Sequence, residues 1–142
     1  MLPSQTTEQR CPCGSGKPFA FCCEPFIEGK KSAPTAETLM RSRYTAFVMG
    51  AIDYLVDTTA PEKRDIIDRE IIAEQVKVTV WTGLTILDTK EGQRGDKSGM
   101  VEFEAAFELP DEQCVLHEKS NFYARDGKWF YVDGDVEVRP IV

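Results

Sequence analysis

Four of the five cysteines in this chain fall within thirteen residues, in the run Cys11-Pro12-Cys13-Gly14-Ser15-Gly16-Lys17-Pro18-Phe19-Ala20-Phe21-Cys22-Cys23. The pattern is C-x-C, then eight residues, then C-C. A segment this short has no core of its own, so the chemistry of its sulfurs decides its structure. Adjacent Cys22 and Cys23 do not readily bridge to each other, because a disulfide needs a particular Cα separation and dihedral angle. The N-terminal Met1-Leu2-Pro3-Ser4-Gln5 has neither the basic flank nor the apolar stretch of a signal peptide. No apolar run approaches the roughly eighteen residues of a membrane span. The chain therefore reads as cytoplasmic, where thiols stay reduced and a four-cysteine cluster reads as a metal site.

Zinc suits four thiolates in a tetrahedron, and such a closed set is structural, with no open position for catalysis. The ligands expected are Cys11, Cys13, Cys22 and Cys23. Gly14 and Gly16 allow tight turns or positive φ near the metal, where backbone N–H groups can donate to the thiolates. Phe19 and Phe21 give the module something to pack on. Gly14-Ser15-Gly16-Lys17 is not a phosphate-binding loop, since its first glycine is missing and Pro18 replaces the Ser/Thr that would hold Mg²⁺. Lys17 is instead a candidate contact for a partner.

The net charge is −7, which argues against nucleic-acid binding by the body of the chain, because such binding depends on neutralising phosphates. The head is different: Glu8, Glu24, Glu28 and Glu37 stand against Arg10, Lys17, Lys30, Lys31, Arg41 and Arg43, so a basic patch near the cysteines is available.

The length suits one domain with a small appended module. Pro25, Gly29, Lys30, Lys31 and Pro34 mark a connector, which divides the chain into a zinc-binding module with connector at 1–30 and a domain at 31–142. Thr35 caps a helix with apolar positions Leu39, Met40, Tyr44, Phe47 and Val48, ended by Gly50. A short helix is expected at 51–58 and a charged one at 62–74. The β-branched run 76–87 then begins a series of strands, followed by 100–109, 114–123 and 128–138, with Asp126-Gly127 as a hairpin turn. Val101, Phe103, Ala105 and Phe107 alternate with glutamates, so one sheet face is apolar. About three helices on one face of about four antiparallel strands make an α+β fold.

The cysteine run resembles the SEC-C motif, the zinc-binding module at the C-terminus of the preprotein translocase ATPase SecA. The whole chain resembles the YchJ family (UPF0225), through that motif, through residues 34–47 (PTAETLMRSRYTAF), through His117-Glu118-Lys119-Ser120-Asn121-Phe122, and through Gly127-Lys128-Trp129-Phe130-Tyr131-Val132-Asp133-Gly134. The resemblance implies an NTF2-like, cystatin-like cone of helices wrapped by a curved antiparallel sheet. It implies no established activity.

His117 is the only histidine. In a strand it points away from Glu118 and from Cys114, so a catalytic dyad on that strand would need a bulge. No catalytic residues are expected. Glu118, Ser120 and Phe122 share the other face, and a buried Glu118 needs a partner, for which Arg43 or Arg41 is placed. If the cone is open, Arg43, Tyr44, Trp81, Phe103, His117, Glu118, Trp129 and Tyr131 are the candidate pocket; a filled core over a structural ion pair is the favoured alternative. Two functions follow. One is a zinc-binding protein-interaction module on an NTF2-like scaffold. Its partner is an unidentified protein, secretion- or ribosome-related by analogy with the translocase motif, and the scaffold is a candidate homodimerisation surface. The other is a small-molecule-binding domain or weak enzyme using the pocket.

Overall fold

The structure is a computed structural model that describes residues 9–141; the signal-peptide reading of the first five residues lies outside them. A single 3-10 turn, Phe19–Phe21, follows the first cysteine pair, and a one-turn helix α1, Glu24–Ile27, follows the second. Where the sequence suggests only a connector, Pro25 sits at the start of α1, and Phe26 and Ile27 pack against the core. Helix α2, Ala36–Met49, is the axis of the fold. The Thr35 side chain accepts from Thr38 N at 3.1 Å, and Gly50, at φ 78°, closes the other end in a left-handed conformation. Helix α3, Ile52–Asp57, follows directly.

The charged helix expected at 62–74 is two elements: a 3-10 turn, Pro61–Ile66, and helix α4, Arg69–Val78. The break has a local cause. The Asp68 carboxylate accepts from Glu70 N and Ile71 N, so it starts a new helix where an unbroken one was expected. The β-branched run begins inside that helix: Val76 and Val78 complete its last turn, and the first strand starts only at Val80.

Four strands, β1 (Val80–Glu91), β2 (Ser98–Leu109), β3 (Glu112–Arg125) and β4 (Lys128–Pro140), form an antiparallel sheet in the order β1-β2-β3-β4. Register shifts at Trp81/Gly83 and Ile86/Asp88 in β1, and at Val132 in β4 opposite Asn121/Phe122, add the twist that curves a sheet around a helix. The alternation in β2 holds: Val101, Phe103, Ala105 and Phe107 are buried against the helices.

The cysteine loop and the domain that follows it share one core. Cys11, Cys13 and Cys23 belong to the same buried cluster as Leu39, Met40, Tyr44, Val101, Phe103 and Trp129. With Phe21 exposed, the loop has too little apolar surface to close a core of its own, and its sulfurs pack into the common one.

The β1–β2 hairpin is pinned to the start of α2 by a hydrogen bond from Ala36 N to Gly92 O of 2.9 Å. Gly92 and Gly99 meet back to back here: a Cβ on Gly99 would overlap the Gly92 backbone, and one on Gly92 would stand 2.8 Å from Ala36 Cβ. Gly99→Ala is therefore expected to cost ~1–3 kcal/mol by overpacking. Urea denaturation of the variant beside wild type checks this, and an unchanged midpoint would mean the contact is not tight.

Candidate metal centre and cavity

The first pair of ligands is set by a tight reversal. Cys11 N donates to Lys17 O at 2.9 Å, Gly14 N to Cys11 O at 3.2 Å, and Arg10 pairs with Pro18 across the loop. Gly14 and Gly16 adopt φ of 80° and 84°, which side-chain-bearing residues rarely take. The 3-10 turn then returns Cys22, and Cys23 sits at the N-terminus of α1.

The four sulfurs all lie within 4.8 Å of one another. Cys13 and Cys22 are 3.6 Å apart and Cys22 and Cys23 4.0 Å. Ligands about 2.3 Å from a tetrahedral zinc would be about 3.8 Å apart, so the spacing fits. The surroundings are polar in a directed way. Thr45 donates to Cys23 Sγ at 3.4 Å and lies 3.6 Å from Cys11 Sγ, while Ser15 Oγ is 3.1 Å from Cys22 Sγ. Arg41 donates to Cys13 O at 2.9 Å and is steadied by Glu37.

With protons alone, the cluster is electrostatically awkward. Hydrogen bonds from Cys11 and Cys23 drive the Cys13 thiol far below its usual value. Burial pushes Cys22 up to about 11, and the sulfur–sulfur hydrogen bonds push Cys23 up as well. Charge is favoured on Cys13 and resisted on Cys22 and Cys23. A cation that coordinates all four removes this conflict, and the donor set suits a soft, tetrahedral one. Cys114, the fifth cysteine, is buried on β3 opposite Phe107 and is not among the four grouped sulfurs. Lys17 is exposed on the loop.

The interior beyond the cysteines is open. A cavity of about 530 Å³ lies between α2, α4 and the concave sheet face. Tyr44, Phe47, Trp81 and Phe107 form an aromatic wall with ring centroids 5.1–6.2 Å apart. Exposed Gln75, Val78 and Val138 rim it, and buried Met40, Ser120 and Phe122 lie at its depth. The favoured expectation of a filled core is thus corrected: the helices reach only part of the concave face.

Six of the eight candidate pocket residues line this cavity: Arg43, Tyr44, Trp81, Phe103, Glu118 and Tyr131. Two do not. His117 points to the outer face, as strand alternation requires, with Nε2 2.7 Å from Glu102 Oε2. Trp129 is buried elsewhere in the core, its indole donating to Pro34 O at 3.2 Å.

The expected Arg43–Glu118 or Arg41–Glu118 pair is not formed; Arg41 serves the cysteine loop. Tyr131 stands between Arg43 and Glu118. The Arg43 guanidinium sits over its ring, 4.6 Å from the centroid, and the Tyr131 hydroxyl donates to Glu118 Oε2 at 2.8 Å. Ser120 donates to the same oxygen at 2.8 Å. Burial, reinforced by Glu118, holds the Tyr131 hydroxyl well above its ordinary value, so it stays a donor. Arg43 Nη1 donates to Leu55 O (2.9 Å) and to Thr58 Oγ1 (2.7 Å). Burial draws its guanidinium down to about 10, still far above neutrality. Gly134 has no side chain because Glu118 occupies the space a Cβ would need.

An α+β cone with a four-cysteine centre at its N-terminal edge is an NTF2-like domain carrying a SEC-C motif, and the comparisons agree. The model of the YchJ middle NTF2-like domain matches residues 35–134 and that of the SEC-C motif residues 9–25. A UPF0225 protein of Geobacter sulfurreducens is 43% identical over 87% of this chain and 77% of its own length. One from Actinobacillus succinogenes is 42% identical over 90% and 82%. The solution structure of a SEC-C motif containing protein from Rhodopseudomonas palustris superposes with a TM-score of 0.82 at 36% identity, over 89% of this chain and 98% of that one. A crystal structure from Psychrobacter arcticus gives 0.77 at 32%, over 91% and 83%. The chain belongs to the YchJ (UPF0225) family.

Thr45 and Arg41, one helical turn apart on α2, were not read from the sequence as supports of the metal centre; their polarity on a core-facing helix was the available signal. Tyr131→Phe removes one of the two donors to a buried carboxylate and is expected to cost ~1–3 kcal/mol in urea denaturation. A cost near zero would mean that Glu118 relaxes to another donor.

Proposed function

We propose that this protein is a zinc-stapled small-molecule-binding domain. Zinc held by Cys11, Cys13, Cys22 and Cys23 fixes the N-terminal loop onto α2, and the cone takes a ligand. The observation that carries the reading is the open cavity, apolar along its walls and polar at its depth, within the ordinary range of ligand sites of roughly 300–1,000 Å³. The zinc would supply structure only, since four thiolates leave it no open position. Among the described residues no helix is long and apolar enough to cross a membrane, and cytoplasmic reducing conditions would keep the thiolates available to the metal.

A second reading, contact with a protein partner, is favoured by one feature of the module. Phe19 packs inward, but Phe21 is 71% exposed, on the same loop as exposed Lys17. An exposed aromatic beside a cation is a fitting anchor for an acidic partner surface.

Two measurements test the proposal. Elemental analysis is expected to find one zinc per chain, lost in Cys22→Ser/Cys23→Ser. Because the sulfurs belong to the common core, chelation is expected to lower the melting temperature of the whole protein, not merely to loosen the loop. No metal in reduced, unchelated protein would remove the staple from the proposal. Nile red, a neutral apolar dye, is expected to bind wild type with quenching of Trp81. Ala105→Leu should weaken this binding and Ala105→Phe weaken it further, since Ala105 is buried in the cavity wall. Dye binding indifferent to both, in variants with native circular dichroism, would place it elsewhere and overturn the ligand-binding reading.

A further inference from the structure

The depth of the cavity carries information about the head group of its ligand. Arg43 makes its hydrogen bonds through Nη1 alone, to Leu55 O, Thr58 Oγ1 and Thr59 Oγ1. All three acceptors are neutral. Among the described residues, Nε and Nη2 have no partner, and no carboxylate lies within ion-pair distance of the guanidinium. Neither nitrogen is sealed in, because every buried side-chain nitrogen and oxygen is satisfied. The cavity is the space that Arg43 lines. A guanidinium deep in the fold with its Nε/Nη2 edge unpaired lacks the counter-charge that buried ions require.

Glu118 acts on the guanidinium only from a distance, without an ion-pair contact. Its Oε2 is engaged by Ser120 and Tyr131, and Tyr131 bridges the two groups, its ring under the guanidinium and its hydroxyl on the carboxylate. The Nε/Nη2 edge presents two parallel N–H donors, the fork that matches the two oxygens of a carboxylate. A carboxylate on that edge would contact Arg43 directly, while Glu118 stays held by the Tyr131 hydroxyl and Ser120. Coulomb attraction at contact then outweighs repulsion at longer range. Burial already lowers Arg43 towards about 10, and a contacting anion would reverse that shift.

We infer that the cavity binds a small monocarboxylic acid with an apolar body, its carboxylate paired with the Nε/Nη2 edge of Arg43 and its apolar part against Tyr44, Trp81, Phe103 and Phe107. This rests on the ligand-binding reading above and names its chemical class.

The test is displacement of Nile red by three probes of one chain length: decanoate, decanamide and decylammonium. Decanoate is expected to bind tightest. Arg43→Lys keeps the charge but loses the fork, and should weaken decanoate by about tenfold or more, the worth of one charge-assisted hydrogen bond, with little effect on decanamide. Glu118→Gln removes the opposing charge and should tighten decanoate, an increase that damage to the fold would not produce. Decanamide or decylammonium binding as tightly as decanoate would overturn the carboxylate assignment. So would failure of all three to displace a dye whose binding depends on Ala105. In both cases the pocket itself stands. Absence of Ala105-dependent dye binding would instead remove the ligand-binding reading, and this inference with it.

Discussion

Four sulfurs held within 4.8 Å of one another cannot all carry charge unless a cation sits among them, and this crowding is built into one wall of the core. The N-terminal loop has almost nothing else to bury. Its turns are organised by Gly14 and Gly16, its ligands are steadied by Thr45 and Ser15, and its backbone is tied to α2 by Arg41. The same helix presents Leu39, Met40 and Tyr44 to the sheet. The coordination chemistry and the hydrophobic core therefore share one scaffold, and α2 cannot shift relative to the sheet without disturbing the sulfurs.

That shared helix also accounts for the contrast between the two sides of the interior. Towards the cysteines the packing is dense, and three of the four sulfurs are almost fully buried. On the other side α2 turns Arg43 and Phe47 towards a sheet that curves away, and α4 closes only part of the gap. The polar groups left at depth are connected. Arg43 rests on Tyr131, Tyr131 donates to Glu118, and Ser120 donates to the same oxygen. The chain of contacts gives the floor of the cavity fixed donors and acceptors, which is the condition for orienting a ligand.

Much of this was legible in the sequence because its causes are local. Thr35 and Gly50 bound α2 through cap chemistry, β2 shows its alternation openly, and the cysteine spacing declares its own chemistry. Strand alternation alone put His117 on the opposite face from Glu118. What escaped were effects that depend on distance through space. Asp68 could be a helix interior residue or a cap, and only the competing geometry of its neighbours decides. The β-branched Val76 and Val78 go to the last turn of a helix, where both line the cavity. Whether the cone is filled depends on how far the sheet curves, which three register shifts set and no composition reveals. The partner of Glu118 was assigned by charge, but Tyr131 bridges the two groups.

The segment after α3 joins the sheet where a fifth strand would lie. Thr59 forms a parallel bridge with Tyr131, with Ala60 N donating to Tyr131 O and Tyr131 N to Thr58 O, each at 2.8 Å. The outer edge of β4 is thus occupied at the point where Tyr131 faces the interior. An unoccupied sheet edge is a template for pairing with another chain. The same three residues that give Arg43 two of its acceptors also shield that edge. Loosening them would unhook the cation inside and bare backbone donors outside, so a lesion in this short loop would favour self-association as well as loss of order at the floor of the cavity.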